Sequence, residues 1–187
     1  MIKAVVWDIG GVLFKDPKVG NFWGDASGSK ELRKEFGSGQ ISKEEFIKKG
    51  ARFLKIDEKT FIKRYKETYL CPKKQIKESL EIYKKMKTDK YILSDTNPIF
   101  AEGTKDNEKE IYPFAKKVFL SHEIKLRKSD LQTFKFIIKE IGLNPREILF
   151  IDNNLEHAKA AKSLGMNSIH YQNPEQLKSD LKRFGAL

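Results

Sequence analysis

Four polar residues, Asp8, Ser94, Lys128 and Asp152, stand at the ends of short apolar runs or in the segments that follow them. A carboxylate can attack a phosphorus or carbon centre, a hydroxyl can donate a hydrogen bond to the transferred group, and an ammonium can offset its negative charge. A second carboxylate can hold that ammonium or a metal ion. Each residue alone also has an ordinary structural interpretation, because Asp and Ser commonly cap turns and Lys is commonly exposed. If the fold brings them together, the four predict one catalytic site.

The residues that directly follow Asp8 and Ser94 are suited to binding an anion. Glycines let the backbone approach a ligand closely, and their amides can donate hydrogen bonds to phosphate. The polar residues after Ser94 can add amide or side-chain donors. The residues expected to bind substrate in this way are Gly10, Gly11, Asp95, Thr96 and Asn97.

Short apolar runs predict the strands that must position these residues. They span residues 2–7, 91–94, 117–120, 147–151 and 167–171. Helical patterns lie between the later runs, over 129–141 with Ser129 as the N-cap and over 154–164 with Gly165 as the end. Strands that alternate with helices predict an α/β fold with a doubly wound parallel sheet, whose ligands bind beyond the carboxyl ends of the strands.

A long segment after the first strand contains no comparable strand pattern and is typical of helices. Ser42 and Glu45 have the spacing of a capping box, which predicts a helix that begins at Lys43. Aromatic and aliphatic residues recur at helical spacing after Asp57 and again after Pro72. These patterns predict a set of helices inserted into the chain between the first two strands.

The domain organisation follows from this insertion. We predict a helical cap subdomain over residues 15–75, inserted into an α/β core domain that comprises residues 1–14 and 76–187. Residues 98–113 have no clear pattern and are expected to form an irregular connection.

Composition and charge restrict the function classes. The chain has 187 residues, of which 39% are hydrophobic and 34% charged, and no apolar run approaches the roughly 20 residues that cross a bilayer. The single cysteine, Cys71, is interpreted as a packing residue. MIKAVVWD lacks a secretory pattern, so we expect a cytoplasmic protein with no membrane partner. The formal charge is +11, but lysines alternate with glutamates as on solvated helix faces, so we expect no nucleic-acid partner.

Four segments, in order along the chain, resemble the haloacid dehalogenase-like (HAD) hydrolase superfamily, and in particular its small phosphatase-type members with a helical cap after the first strand. The segments are VVWDIGGVLF, YILSDTN, SHEIKLRKSD and EILFIDNNLEHAKAAKSLGM, and GSGQISKEEF resembles the cap of the same subtype. The resemblance implies a Rossmann-like core in which Asp8 is the nucleophile that forms an aspartyl-phosphate. Ser94 would bind the transferred phosphoryl group, and Lys128 would neutralise charge around Asp8.

The resemblance also implies a Mg²⁺ site, formed by Asp8, the main-chain carbonyl of Gly10, and Asp152 with Asn153. Two residues depart from the family pattern. Gly10 stands where the usual phosphatases have a second Asp, the general acid/base, and Asn153 stands where the final motif often has a metal-binding acid. Loss of a positioned acid/base lowers a rate by about 10² to 10⁴, and a neutral amide holds Mg²⁺ more weakly than a carboxylate. We therefore expect a slow enzyme with weak Mg²⁺ binding.

Three function classes remain open. The first is a phosphatase of a small phosphorylated metabolite, favoured by the retained Asp8, Ser94 and Lys128. The second is a catalytically inactive binding protein with the same fold, favoured by Gly10 and Asn153. The third is a metal-independent dehalogenase-type hydrolase in which the first acid attacks carbon. The sequence leaves the substrate and the oligomeric state open among these classes.

Overall fold

The computed structural model describes residues 1–16, 22–24, 29–70, 74–104 and 109–187. Its centre is a five-stranded, fully parallel sheet with the strand order β3-β2-β1-β4-β5. The strands are β1 (Ala4–Trp7), β2 (Asp89–Ser94), β3 (Lys117–Leu120), β4 (Ile148–Asp152) and β5 (Asn167–His170). The predicted α/β class with a doubly wound parallel sheet is confirmed. The expectation for Cys71 lies outside the described residues.

The central strand β1 is buried along its whole length because helices cover both faces of the sheet. Trp7 pairs in register with Ile92 of β2 and with Ile151 of β4. Apolar side chains pack on each face into a separate core, which is why the strand sequences are almost continuously apolar. The chain emerges from β1 at Asp8, in the middle of the carboxyl edge of the sheet.

Nine α-helices connect and flank the strands within the described residues. They are α1 (Ser29–Gly37), α2 (Lys43–Leu54), α3 (Glu58–Tyr69), α4 (Lys77–Lys85), α5 (Pro98–Gly103), α6 (Ser121–Ile124), α7 (Leu131–Ile141), α8 (Leu155–Ser163) and α9 (Pro174–Arg183). Short 3₁₀ turns cover Tyr112–Phe114 and Pro145–Glu147. None of the helices that the structure describes has the length and apolar character needed to cross a membrane.

Two local predictions were wrong. Part of the expected irregular connection is α5, because the Asn97 side chain accepts a hydrogen bond from the Phe100 amide at 3.0 Å and Pro98 fits the first turn, where its missing N–H is not needed. The N-cap of α7 is Asp130 and not Ser129. The Asp130 carboxylate accepts from the Gln132 amide at 2.9 Å, so the helix begins one residue later than a Ser129 cap requires.

Helices α1, α2 and α3 share their own aromatic core. Phe36 of α1 stacks on Phe46 of α2 with ring centroids 4.0 Å apart, and Phe61 of α3 packs edge-on against Phe46. Ser42 caps α2 by accepting from the Glu45 amide, so the expected start at Lys43 is confirmed. These helices therefore have a hydrophobic core separate from the two cores that flank the sheet.

The helical region joins the sheet through two chain segments that run side by side. The Lys15 amide donates to the Lys74 carbonyl at 2.7 Å, and Phe14 forms a bridge with Gln75. This junction lies close to the boundaries predicted for a cap over residues 15–75, and the domain boundaries themselves remain a prediction. The pairing sets the position of α1–α3 relative to the carboxyl edge of the sheet.

The end of α1 contacts α6 through backbone atoms at very short range. A Cβ added to Gly39 would lie 2.1 Å from the carbonyl oxygen of His122, and Gly39 has the left-handed φ of +62°. The Ser121 hydroxyl lies 2.6 Å from the Gly37 carbonyl oxygen. Glycine at position 39 is therefore required both by its backbone conformation and by the close approach of the two segments.

We expect Gly39→Ala to lower the free energy of unfolding by about 2 to 4 kcal/mol, since the left-handed conformation alone costs about 1 to 2 kcal/mol and the clash with backbone adds to it. Gly142→Ala is the matched control. Gly142 also has a left-handed φ, of +72°, but no heavy atom of the described residues lies within 4 Å of its added Cβ. Urea titrations of both variants measure the difference, and equal losses would show that the close approach to His122 contributes nothing.

Candidate active site

The carboxyl edge of the sheet carries a buried ion cluster. The Nζ atom of Lys128 lies 2.8 Å from Oδ1 of Asp8 and 2.7 Å from Oδ2 of Asp152, so one ammonium bridges two carboxylates. Lys128 is only 2% exposed and Asp152 is fully buried. Three of the residues expected in one catalytic site, contributed by segments far apart in the chain, are therefore in direct contact.

A short loop holds Lys128 in this position. The Asp95 carboxylate accepts hydrogen bonds from the Lys128 amide at 3.1 Å and from Nε of Arg127 at 3.3 Å. The Thr133 hydroxyl and the Asp130 amide both donate to the Arg127 carbonyl. The backbone on each side of Lys128 is thus tied to β2 and to the start of α7, which fixes where its side chain enters the sheet edge.

The two carboxylates of the cluster are held by additional donors. Oδ1 of Asp8 accepts from the Ile9 amide at 2.7 Å. Asp152 accepts from the Asn154 amide at 2.7 Å, and Nδ1 of His157 lies 3.2 Å from its Oδ2. Both oxygens of Asp152 are therefore occupied, whereas Oδ2 of Asp8 has no hydrogen-bond partner among the described residues. That oxygen is the one available to act as a nucleophile.

The pKa values of the two carboxylates are shifted in opposite directions, although burial by itself raises both. Desolvation raises the pKa of Asp8 to about 6, because it outweighs the attraction of Lys128 and because the charge of Asp152 adds to it. Desolvation also acts on Asp152, but the hydrogen bond from His157 and the charge of Lys128 outweigh it and lower that pKa. Burial alone would lower the pKa of Lys128, but both carboxylates raise it above its ordinary value. The ammonium is therefore permanently charged.

The raised pKa of Asp8 predicts a pH-dependent stability. Between about pH 4 and pH 7 the free energy of unfolding of the metal-free protein should fall by about 2 to 3 kcal/mol. Over this interval the unfolded chain has already lost the Asp8 proton, near 3.8, while the folded chain keeps it until about pH 6, so raising the pH favours unfolding. Asp152, with its lowered pKa, acts with the opposite sign and only below 3.8. Urea titrations in EDTA measure the profile, and a flat profile would contradict the assignment.

Ser94 ends β2 beside this cluster. It is 8% exposed, and its hydroxyl has no hydrogen-bond partner among the described residues. Gly11 lies opposite, with a left-handed φ of +70° and with Nδ2 of Asn153 2.1 Å from the place of a Cβ. The Gly11 amide already donates to the Phe14 carbonyl at 2.7 Å, so of these two residues it is Ser94 that has a polar group without a described partner, beside the buried Asp8 carboxylate. Their roles in binding substrate remain predictions.

The three polar residues after Ser94 differ in how many of their polar groups already form hydrogen bonds within the protein. Asp95 anchors the Lys128 loop, as described above. The Thr96 amide donates to the Ser121 hydroxyl at 2.9 Å, and the buried Thr96 hydroxyl has no partner among the described residues. Asn97 caps α5 and lies 3.4 Å from the Tyr65 hydroxyl. Thr96 is therefore the member of this set with a side-chain group left to offer to a ligand.

The candidate Mg²⁺ ligands fit a weak, partly hydrated site. Within the part of the chain that the structure describes, no three His, Cys, Asp or Glu side chains converge as they would around a metal ion. Mg²⁺ in proteins commonly uses only one or two carboxylates and keeps several waters. The carboxylate of Asp8, the carbonyl of Gly10 and the side-chain oxygen of Asn153 match that requirement with a single charge, whereas Asp152 is occupied by nitrogen donors.

A cleft between α1, α3 and the sheet edge lies next to this site, lined by residues that neighbour Ser94 and Lys128 in the chain. Its volume is about 810 Å³, a size typical of pockets for small molecules. Asp95, Thr96, Arg127 and Ser129 line it next to Ser94 and Lys128. From the helical side it is lined by Lys30, Glu31, Arg33, Lys34, Tyr65 and Tyr69. Cationic and aromatic side chains therefore line a cleft beside the candidate site.

A family model described as "haloacid dehalogenase-like hydrolase" matches residues 2–165. The chain belongs to this hydrolase family. In doubly wound parallel sheets ligands bind beyond the carboxyl ends of the strands, which is where the Asp8, Lys128 and Asp152 cluster lies. The fold and the family predicted from the sequence segments are thus both confirmed.

Curated HAD relatives include phosphatases. The chain is 27% identical over 96 residues to a D-ribitol-5-phosphate phosphatase from Bacteroides thetaiotaomicron, a match that covers 49% of this chain and 47% of that protein. It is 52% identical over 42 residues to enolase-phosphatase E1 from Aquifex aeolicus, covering 22% of this chain and 19% of the relative. The chain spans less than half the length of the curated relatives it matches.

A solved HAD structure covers nearly the whole chain. A HAD family enzyme from Bacteroides thetaiotaomicron, in complex with magnesium and inorganic phosphate, superposes with a TM-score of 0.74 and 22% identity over 92% of this chain and 96% of that one. At this identity the likeness establishes the shared fold.

Sequence reasoning did not predict the contacts of two residues at this HAD site, Asp95 and His157. Asp95 was expected to bind substrate, and the structure uses its carboxylate to hold the loop of Lys128. His157 contacts Asp152, although scattered histidines offered no pattern. The signal available for His157 was its position one helical turn into α8, directly after the Asp152 segment. No local sequence pattern predicts the hydrogen bonds between Asp95 and the Lys128 loop, because Asp95 and Arg127 are 32 residues apart.

Proposed function

We propose that this HAD hydrolase is a phosphatase that acts on a small phosphorylated metabolite through an aspartyl-phosphate at Asp8. The observation that carries the proposal is the buried ammonium of Lys128, which bridges Asp8 and Asp152 and leaves one oxygen of Asp8 without a partner. A carboxylate that is held in place by one oxygen and free at the other is oriented to attack. The names of the curated relatives support phosphate monoesters as the substrate class.

In the first step the free oxygen of Asp8 attacks the phosphorus atom and the ester oxygen leaves. Lys128 and the hydroxyl of Ser94 stabilise the negative charge on the phosphoryl oxygens, and the amide of Gly10 can donate to them, whereas the Gly11 amide already donates to the Phe14 carbonyl. In the second step water attacks the phosphorus and releases phosphate from Asp8. Asp152 holds the ammonium of Lys128 in place during both steps.

Magnesium is proposed as a weakly bound cofactor held by Asp8, the Gly10 carbonyl and Asn153, with Asp152 as a further candidate. When bound, it supplies positive charge that lets an anionic nucleophile approach an anionic phosphate. The relative solved with magnesium and phosphate supports this proposal. A magnesium affinity below that of sites with two carboxylates follows from the single free carboxylate oxygen.

The cleft supports a polar, small leaving group. Arg33 faces the cleft from α1 and has no acidic partner among the described residues; its only contacts there are the Ser29 carbonyl and the Trp23 ring. Tyr65 and Tyr69 add hydroxyl groups on the same side. We therefore expect a hydroxylated or anionic metabolite, acting in the cytoplasm as the sequence predicts.

The test is phosphate release from a panel of phosphorylated metabolites, including ribitol 5-phosphate, in Mg²⁺ and in EDTA. Mg²⁺-dependent release supports the proposal. No release, with beryllofluoride still bound, would favour a binding protein with the same fold. Halide release from 2-haloacids in EDTA would favour the dehalogenase reaction at carbon. Either of these results would replace the phosphatase proposal.

A further inference from the structure

The proposed phosphatase reaction leaves a proton without a carrier. The leaving ester oxygen must gain a proton, and the attacking water must lose one. Among the acids of the site, Asp8 is the nucleophile, Asp152 is occupied by Lys128, His157 and the Asn154 amide, and Asp95 is occupied by the Lys128 loop. Residue 10, two positions after the nucleophile, is a glycine and has no side chain to offer.

The side-chain space of residue 10 is filled from another part of the chain. A Cβ added to Gly10 would lie 2.7 Å from Oδ1 of Asp16, and the only described atoms within 4 Å of it belong to Asp16. The other carboxylate oxygen of Asp16 lies 3.1 Å from a Cβ added to Gly11. The Asp16 carboxylate therefore occupies the position that an acidic side chain at residue 10 would take.

The Asp16 carboxylate is also available to accept or donate a proton. It forms no ion pair or hydrogen bond with any residue that the structure describes, and the residue is exposed. It follows Phe14 and Lys15, whose backbone pairs with the returning segment at the junction, so its position relative to β1 is defined by that pairing. Two residues of chain span at most about 7 Å, so the Asp16 carboxylate beside Gly10 lies in the same loop region as the Asp8 nucleophile.

Asp16 does not belong to a three-carboxylate metal cluster among the described residues. Asp8, Asp16 and Asp152 do not converge on one point within metal-binding distance, since no group of three such side chains occurs among the described residues. The carboxylate of Asp16 lies on the side-chain face of Gly10, and the interaction implied for Gly10 with Mg²⁺ uses its carbonyl.

We propose that Asp16 is the residue that transfers the proton, replacing the acid that residue 10 lacks; this inference rests on the proposed phosphatase function. In the second step the oxygen of water bonds to phosphorus, the bond between phosphorus and Asp8 breaks with its electron pair returning to the Asp8 carboxylate, and one water proton moves to Asp16. In the next turnover that proton moves to the ester oxygen as its bond to phosphorus breaks. The balance is one ester and one water consumed, and one alcohol and one phosphate formed.

The decisive experiment moves the carboxylate between the two positions. Asp16→Ala should lower kcat for an alkyl phosphate by about 10² to 10³. Gly10→Asp/Asp16→Ala should restore kcat to within about tenfold of the wild type, because Gly10 has no left-handed φ and the space beside it is vacated. Gly10→Asp alone should displace the exposed Asp16 carboxylate, which lies 2.7 Å from its Cβ, and should be no less active than the double variant. Lys15→Ala is the control for changes at the junction that do not involve the carboxylate.

An aryl phosphate separates proton transfer from a structural role. With p-nitrophenyl phosphate the leaving nitrophenolate is stable without a proton, so Asp16→Ala should still release one equivalent in a burst and then stall as the phosphorylated enzyme. Intact-mass analysis detects the phosphate on Asp8. Calorimetric Mg²⁺ titration of Asp16→Asn should match the wild type.

The possible results of these experiments distinguish the inference about Asp16 from the proposed function. A kcat within twofold of the wild type for Asp16→Ala overturns the inference and leaves the phosphatase proposal intact. Loss of the burst together with loss of Mg²⁺ affinity also overturns it, because that result makes Asp16 a metal ligand or a structural residue. A double variant no more active than Asp16→Ala overturns the claim that positions 10 and 16 share one space. Absence of phosphate release and of phosphorylated Asp8 in the wild type refutes the proposed function itself.

Discussion

Asp8→Asn should abolish phosphate release, by more than about 10³-fold, and at the same time raise the free energy of unfolding of the metal-free protein at pH 8. The activity is lost because an amide cannot form the aspartyl-phosphate. The stability rises because the fold disfavours the ionised form of Asp8, as its pKa of about 6 indicates. A pKa shift of this size corresponds to about 2 to 3 kcal/mol at a pH above both values.

Asp152→Asn is the matched control for this prediction. It is also a buried aspartate bound to Lys128, but its pKa is lowered, so the fold favours its charge and the substitution should reduce stability at pH 8. Urea titrations of the two variants in EDTA, with phosphate assays in Mg²⁺, give both readouts. A loss of stability in Asp8→Asn equal to that in Asp152→Asn would show that the Asp8 carboxylate is not held at an energetic cost.

The contrast has a functional meaning. A nucleophilic carboxylate that is buried, and only partly compensated by its ammonium partner, destabilises the empty site and gains favourable interactions when a phosphorus centre or a cation approaches. Desolvated charge of this kind is typical of catalytic positions, which are often less stable than an inert replacement.

Lys128→Met should remove activity by more than about 10³-fold and lower the free energy of unfolding by about 3 to 5 kcal/mol at neutral pH. Without the ammonium, two carboxylates remain buried at the same edge, and neither has another cation within the described ion pairs except the His157 ring beside Asp152. Loss of the ammonium raises the pKa of Asp8 further, and protonation relieves the repulsion, so the lost stability should be partly recovered as the pH is lowered.

Lys90→Met is the control for removing a buried lysine. Lys90 is 8% exposed, its ammonium donates to the Met86 carbonyl, and burial lowers its pKa, so its charge is unfavourable in the fold. We expect this variant to be as stable as the wild type or more stable, and fully active. Circular dichroism at several pH values, with phosphate assays on the folded fraction, distinguishes the two lysines. Activity of Lys128→Met within tenfold of the wild type would contradict the role of the ammonium.

Much of the architecture could be predicted because its signals are local. Four consecutive buried residues in β1 leave a short apolar run that ends at a charge, and the hydroxyl and amide side chains at helix starts satisfy backbone donors within three residues. The dependence on local sequence signals also explains the two wrong local predictions. Asp130 and Ser129 are adjacent candidates for one cap, and α5 is too short to show a period.

The candidate site likewise has features that the sequence predicts and features that it does not. The residue types of Asp8, Ser94, Lys128 and Asp152, and their places after strands, were readable from the chain, since parallel strands present their carboxyl ends at one edge. The pairs that these groups form at the sheet edge could not be predicted from the chain. The bridge from Lys128 to both carboxylates, the anchoring of its loop by Asp95, and the unequal pKa values of Asp8 and Asp152 depend on burial and on distances of a few ångströms between remote segments.

Asp16 is the clearest case of what only the tertiary structure decided. In the sequence, Asp16 is an acid after the first strand with no recognised role, and Gly10 is a residue without a side chain. The pairing of Lys15 with Lys74 turns the chain so that the Asp16 carboxylate lies in the space that Gly10 leaves empty. Sequence by itself determined the fold class, the family and the candidate residues, because these depend on local patterns of polarity. The contacts that make those residues reactive depend on the packing of the folded chain, because electrostatic and hydrogen-bond energies are set by distance and burial.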